Sequence, residues 1–231
     1  MTHAHVIPDV RDRISVTRFA EHPVTAWLAD LSRGLSPSAG STRIITVDGP
    51  LRSGKTAWGT ALAEALDAPV VHVADLCPGW AGLSEIGFLL QNWVVDPLRR
   101  GEDPRWPHYD WTAERYTGWS QVDRDDFLVV EGSGAGSRLT APRSSLLLWV
   151  DAPREERTRR LQCSARPPRY ASHLAAWQEQ EQELLTHERT EARADLRLDN
   201  TRTVGLTAVS PRGRALLAGE VPRPRARRRP A

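Results

Sequence analysis

Eight residues, Gly49-Pro50-Leu51-Arg52-Ser53-Gly54-Lys55-Thr56, constrain this chain more than any others. They fit the pattern G-x-x-x-x-G-K-[ST], in which loop N–H groups converge on an anion. The pattern carries weight only between a strand and a helix. Arg43–Asp48 reads as a buried strand, and Ala57–Leu66 reads as a helix with Ala57, Ala61, Leu62, Ala65 and Leu66 towards a sheet. The helix N-terminus adds its partial positive charge to the loop amides. All eight residues are therefore candidate ligands for the phosphates of a nucleotide. Lys55 is placed to reach the β- and γ-phosphates, and Thr56 to offer its hydroxyl to Mg²⁺.

The basic residues support the same reading. There are 31, and Lys55 is the only lysine. Everywhere else the chain uses arginine. The loop needs a compact ammonium on a flexible stem, which a wide planar guanidinium replaces poorly.

A length of 231 residues suits one α/β domain with small appendages. No apolar run approaches the ~18 residues that a membrane span needs. The start, Met1-Thr2-His3-Ala4-His5, has neither the basic nor the apolar segment of a signal peptide. Cys77 and Cys163 form no metal or redox motif, so two free thiols in a reducing cytoplasm are expected. The last eleven residues hold five arginines and no acid; without them the formal charge falls from +2 to −3. The basic balance belongs to the tail, and neither a membrane nor a nucleic-acid partner is expected for the body.

Further along, Val24–Leu35 reads as an amphipathic helix with Val24, Trp27, Leu28, Leu31 and Leu35 on one stripe. Val70–Val73 reads as a second strand with Asp75 just past its carboxyl end, where ligands gather in open α/β sheets. Ser84–Leu98 follows as a helix. Residues 99–120 look irregular and aromatic, a candidate binding wall. Phe127–Glu131 and Ser144–Asp151 read as further buried strands, with a glycine-rich turn at Gly132–Gly136. Arg154–Arg160 opens a helix, residues 164–170 break it, Leu174–Ala194 forms a long charged helix, and Ala194–Asp199 is a last strand. Apolar runs alternating with helices argue for a parallel sheet.

Three features narrow the chemistry. Asp75 can orient an acceptor hydroxyl and take its proton. Glu131, ending an apolar strand, offers the hard oxygen that Mg²⁺ demands. Arg157 and Arg160 can offset charge on a transferring phosphoryl group. No guanine-reading motif or second nucleotide module is present.

Five stretches resemble the uridine kinase-like branch of the P-loop kinases, with phosphoribulokinase, pantothenate kinase and nicotinamide riboside kinase as cousins. They are Val47 to Thr56; Asp75; His108-Tyr109-Asp110-Trp111 with Arg115; Val129-Val130-Glu131-Gly132; and Val150-Asp151 with Arg157, Arg160 and Ala194-Asp195. Pro78-Gly79-Trp80 and Gly134 to Arg138 look like actinobacterial members. The resemblance implies a five-stranded parallel sheet flanked by helices, with an arginine-bearing helical lid around residues 157–169. It implies ATP and Mg²⁺ at the loop and a small-molecule acceptor, a nucleoside for choice. Tyr109, Asp110, Trp111 and Arg115 would fall in the acceptor pocket, and Thr56 and Glu131 beside the metal. The family often carries an acidic pair after the second strand; one register puts the base position on Ala74, the other on Asp75. The lid lacks an arginine at Ser164, for which Arg166 could substitute. Three segments follow: an N-terminal extension (1–40), a P-loop kinase domain (41–210) and a disordered tail (211–231). The alternative is a degenerate kinase that binds nucleotide without transferring phosphate.

Overall fold

Short apolar runs, buried on both faces, build the centre of the molecule. The computed structural model describes residues 22–163, 169–202 and 204–219. Helix α1 (Pro23–Arg33) leads into strand β1 (Arg43–Asp48), the phosphate loop and helix α2 (Lys55–Leu66). Strand β2 (Val70–His72) passes directly into a one-turn helix, α3 (Val73–Leu76). Helices α4 (Ile86–Leu90) and α5 (Asp96–Arg100) are joined by a π-helical stretch, Gln91–Val95. Strands β3 (Arg105–Asp110) and β4 (Arg115–Gln121) pair as a hairpin. Then come β5 (Phe127–Glu131), β6 (Leu146–Asp151), α6 (Arg154–Gln162), α7 (Arg169–Glu188), α8 (Thr190–Arg193), β7 (Leu196–Asp199), β8 (Gly205–Ala208) and α9 (Pro211–Leu217).

The main sheet has the order β2-β5-β1-β6-β7-β8. The first five strands are parallel, and β8 adds an antiparallel edge. Consecutive residues point to opposite faces. Ile45 and Val47 join Leu28, Trp58, Leu62, Leu148 and Leu198 on one side. Ile44, Leu128 and Val130 join Ile86, Leu90, Val94 and Leu98 on the other. Both faces are covered by helices, as parallel strands require. β1 lies centrally, so its loop opens at the carboxyl ends of its neighbours β5 and β6, where such sheets bind ligands.

The structure corrects several expectations. Residues 99–120 are not irregular: most of them form the β3–β4 hairpin. Their aromatic and polar residues do not alternate, and β4 is exposed along almost its whole length, so no period-2 pattern marks it. The tail is not disordered from residue 211. Ser210 caps α9 by accepting from the Gly213 N–H at 3.0 Å, and Leu216 is buried in the core. The N-terminal helix packs on the core as its apolar stripe predicts, through Leu28, Ala29 and Leu31, but Trp27 on that stripe is exposed. The long charged helix ends at Glu188, where Arg189 turns left-handed (φ 50°). Expectations for residues 1–21, for Arg166 in the 164–168 break and for the tail from residue 220 lie outside the described residues. Among the described residues no helix is long and apolar enough to cross a membrane.

Candidate active site

The site begins with the backbone of the phosphate loop. Arg52 and Gly54 take left-handed conformations (φ 64° and 100°), which turn successive amides inward. A side chain at Gly54 is doubly excluded: a Cβ there would lie 2.1 Å from Asn200 Nδ2. Asn200, just past β7, donates to the Ser53 carbonyl at 2.7 Å. Arg160 braces the same side, donating to the carbonyls of Arg52 (3.1 Å), Ser53 (2.9 Å) and Asn200 (2.7 Å). With its carbonyls held from outside, the loop is left to offer an anion the amides at its helix end, whereas those of Gly49, Leu51 and Ser53 donate to Asp48, Glu181 and Pro50. Ser53 Oγ is buried and has no hydrogen-bond partner among the described residues, a donor that a phosphate oxygen would satisfy. Lys55 Nζ lies across the loop, donating to Pro50 O at 3.2 Å. The residues therefore fit a polyphosphate.

Below the loop, Asp48 is wholly buried at the end of β1. Its carboxylate accepts from the N–H groups of Gly49 (2.7 Å), Gly134 (3.1 Å) and Gly136 (3.0 Å). It ties the phosphate loop to the glycine-rich turn after β5. Burial pushes its pKa up to about 6, against the opposing pull of those amides and of Lys55.

A polar chain leads from the loop to the acceptor side. Thr56 Oγ1 donates to Glu131 Oε2 at 3.0 Å. Glu131 Oε1 lies 2.6 Å from His72 Nδ1. Glu131 is only 4% exposed, and α2 approaches it closely because residue 59 is glycine; a Cβ there would lie 2.8 Å from the Glu131 Cβ. Thr56 and Glu131 thus present adjacent hard oxygens, the donor chemistry that suits Mg²⁺ alongside substrate phosphates. Burial works against the His72 imidazolium, but Glu131 and Asp75 outweigh it and raise the pKa.

Asp75 projects from α3 rather than from a strand end, while Ala74 beside it faces solvent. His72, His108 and Glu131 are its charged neighbours. Burial raises its pKa, an effect that Glu131 adds to and the two histidines oppose. A raised carboxylate is the stronger base.

The aromatic residues assemble around α3. Trp111 Nε1 donates to Ala74 O at 3.0 Å, and Tyr116 OH to Leu76 O at 2.9 Å. Trp111 packs edge-on against Trp80 (4.8 Å between centroids), Tyr109 (5.2 Å) and Trp177 (5.9 Å). His173 stacks on Trp80 at 4.7 Å. The hairpin and α7 thereby hold α3, and Asp75 with it. Asp110 accepts from the amides of Thr112 and Ala113, capping the hairpin turn, and pairs with Arg115 in the hairpin register. Arg157 donates to Ala152 O at 3.0 Å and lies 3.6 Å from Asp151. Arg157 and Arg160 face carbonyl and carboxylate oxygens in this arrangement, at the end of β6 and outside the loop.

Reasoning from sequence missed His72, Asn200 and Glu181. His72 could have been found as the residue that ends β2, opposite Glu131 in the sheet register. The others carry no motif.

These features define a P-loop α/β fold with a chain of hydrogen-bonded polar side chains beside the loop. A structure described as a possible uridine kinase, from Bacillus stearothermophilus, superposes with a TM-score of 0.54 at 16% identity. The match covers 80% of this chain and 97% of that one. A structure assigned as a fructose transport system kinase, from Silicibacter sp. TM1040, matches with a TM-score of 0.49 at 18% identity, covering 74% and 94%. At such identity the first likeness establishes the fold, a mostly parallel sheet flanked by helices as in P-loop kinases. No protein-family profile and no curated protein matches the sequence.

Proposed function

We propose that this protein is an ATP-dependent kinase that transfers a phosphoryl group to a hydroxyl of a small molecule, a nucleoside being the substrate class favoured. The observation that carries the proposal is the continuous polar chain Thr56–Glu131–His72, with Asp75 beside it. It joins a loop shaped for phosphates to a carboxylate that can serve as a base. The fold shared with a possible uridine kinase supports the same reading.

In this scheme the loop amides and Lys55 hold the phosphates of ATP, and Thr56 and Glu131 would hold Mg²⁺, which supplies charge neutralisation when bound. Asp75 accepts the proton of the acceptor hydroxyl as its oxygen bonds to the γ-phosphorus, and ADP leaves. Phosphoryl transfer depends mostly on position and electrostatics, so the rigidity of α3 matters as much as the basicity of Asp75. Tyr109, Asp110, Trp111 and Arg115 shape the acceptor side. Arg160 acts at the loop by bracing its carbonyls, and Arg157 would have to leave Ala152 and Asp151 to reach the transferring group. Coupled ADP-release kinetics test the role of the base. Asp75→Asn should lower kcat by about 10²–10⁴-fold while ATP affinity is unchanged. Near-full turnover in that variant would remove Asp75 from the mechanism.

A further inference from the structure

Helix α7 is attached to the molecule in an unusual way. Apart from its first two residues, whose side chains are not described, only one of its residues is buried, and that residue is a carboxylate: Glu181, 5% exposed. His173, Trp177, Glu181 and Leu184 follow one another at helical spacing and form one stripe. His173 and Trp177 meet the aromatic cluster at Trp80. Leu184 approaches Gly134. Between them Glu181 reaches the phosphate loop, where its Oε2 accepts from the Leu51 N–H at 2.8 Å. Its Oε1 accepts from Ser133 Oγ at 2.7 Å.

Both partners are neutral, and Glu181 forms no ion pair among the described residues. A buried carboxylate without a cation is costly, so another role must account for it. Its position supplies one. The Leu51 amide belongs to the loop that binds phosphate, so a carboxylate there is an anion in an anion's place. A phosphate oxygen and the Glu181 carboxylate would compete for that N–H and repel each other if both were near it.

We propose that Glu181 is a further residue of the nucleotide site: its carboxylate holds the Leu51 N–H and yields it to a phosphate oxygen of ATP. This rests on the nucleotide-binding reading of the loop. The same helix carries His173 and Trp177, so nucleotide binding at Leu51 loosens one anchor of α7 and is felt in the aromatic cluster around α3. Glu181 is thus a positioning residue that links the phosphate loop to the aromatic cluster.

Glu181→Gln tests this directly. Glutamine keeps the shape and can still accept from Leu51, but it carries no charge. Titration calorimetry with ATP and Mg²⁺ should show binding tighter than wild type by on the order of tenfold, the size of one charge-assisted hydrogen bond. Ser133→Ala removes the other anchor of the carboxylate and should shift affinity in the same direction by less. Removing a merely structural anchor would not tighten nucleotide binding, so equal or weaker binding by both variants overturns the proposal whatever their melting temperatures. If wild type and variants bind ATP alike, only the role of Glu181 fails. If wild type binds no ATP, the nucleotide reading fails and this proposal with it.

Discussion

At the scale of residues, a few buried polar groups carry the account, and Asp48 is the most exacting. Its pKa is about 6 in the folded protein against an ordinary 3.8. The folded state therefore holds this proton more firmly than the unfolded chain does. Between about pH 4 and pH 6 stability falls as pH rises, and the loss is complete above that window. A shift of this size corresponds to up to about 3 kcal/mol. Urea denaturation across pH 4–7 should show this slope in wild type and lose that part of it in Asp48→Asn. Identical slopes would contradict the burial assigned to Asp48. Residues of this kind are poorly legible in a sequence because their partners are remote in the chain. Thr56 meets Glu131 across 75 positions, and Leu51 meets Glu181 across 130. The loop residues Gly49–Thr56 were legible because their function depends on local backbone, which a contiguous motif encodes. Asp75 was marked as a candidate base by its place after β2, but its neighbourhood with His72 and His108 depends on α3, which the sequence pattern did not show.

At the scale of elements, apolar runs and turn residues marked the strands well. The hairpin was missed because β4, with its long exposed stretch, has no buried face to create alternation. Helix α9 was missed because its composition is that of the arginine-rich tail, and its anchors are one buried leucine, Leu216, the close packing of Gly213 on Asp195 and the Arg212–Asp195 ion pair. Leu216→Ala should cost about 2–4 kcal/mol in chemical denaturation if α9 packs as described. No loss would return that segment to the tail. Helix α2 makes a sharper case. Alanine at position 59 gains about 1 kcal/mol in helix propensity, yet its Cβ would be forced against Glu131. Overpacking of this kind costs about 1–3 kcal/mol, and here the neighbour is a buried, hydrogen-bonded side chain with little room to yield. Gly59→Ala should therefore be less stable than wild type by chemical denaturation. A more stable variant would show that α2 does not press on Glu131.

At the scale of the whole molecule, the sheet order places β1 between β5 and β6, so the loop after β1, the turn after β5 and Asn200 beyond β7 converge at one end. The meeting of the two loops was expected from alternating strands and helices; the place of Asn200 among them was not. The antiparallel β8 edge was not, because four residues of mixed polarity carry too little pattern. The central claim is that this end of the sheet transfers phosphate from ATP to a small hydroxyl compound. A coupled ADP-release screen over nucleosides and small metabolites, run beside Lys55→Ala, tests it most directly. The account predicts acceptor-dependent ADP release by wild type and none by Lys55→Ala. Release that no acceptor stimulates, or that persists in Lys55→Ala, would contradict it.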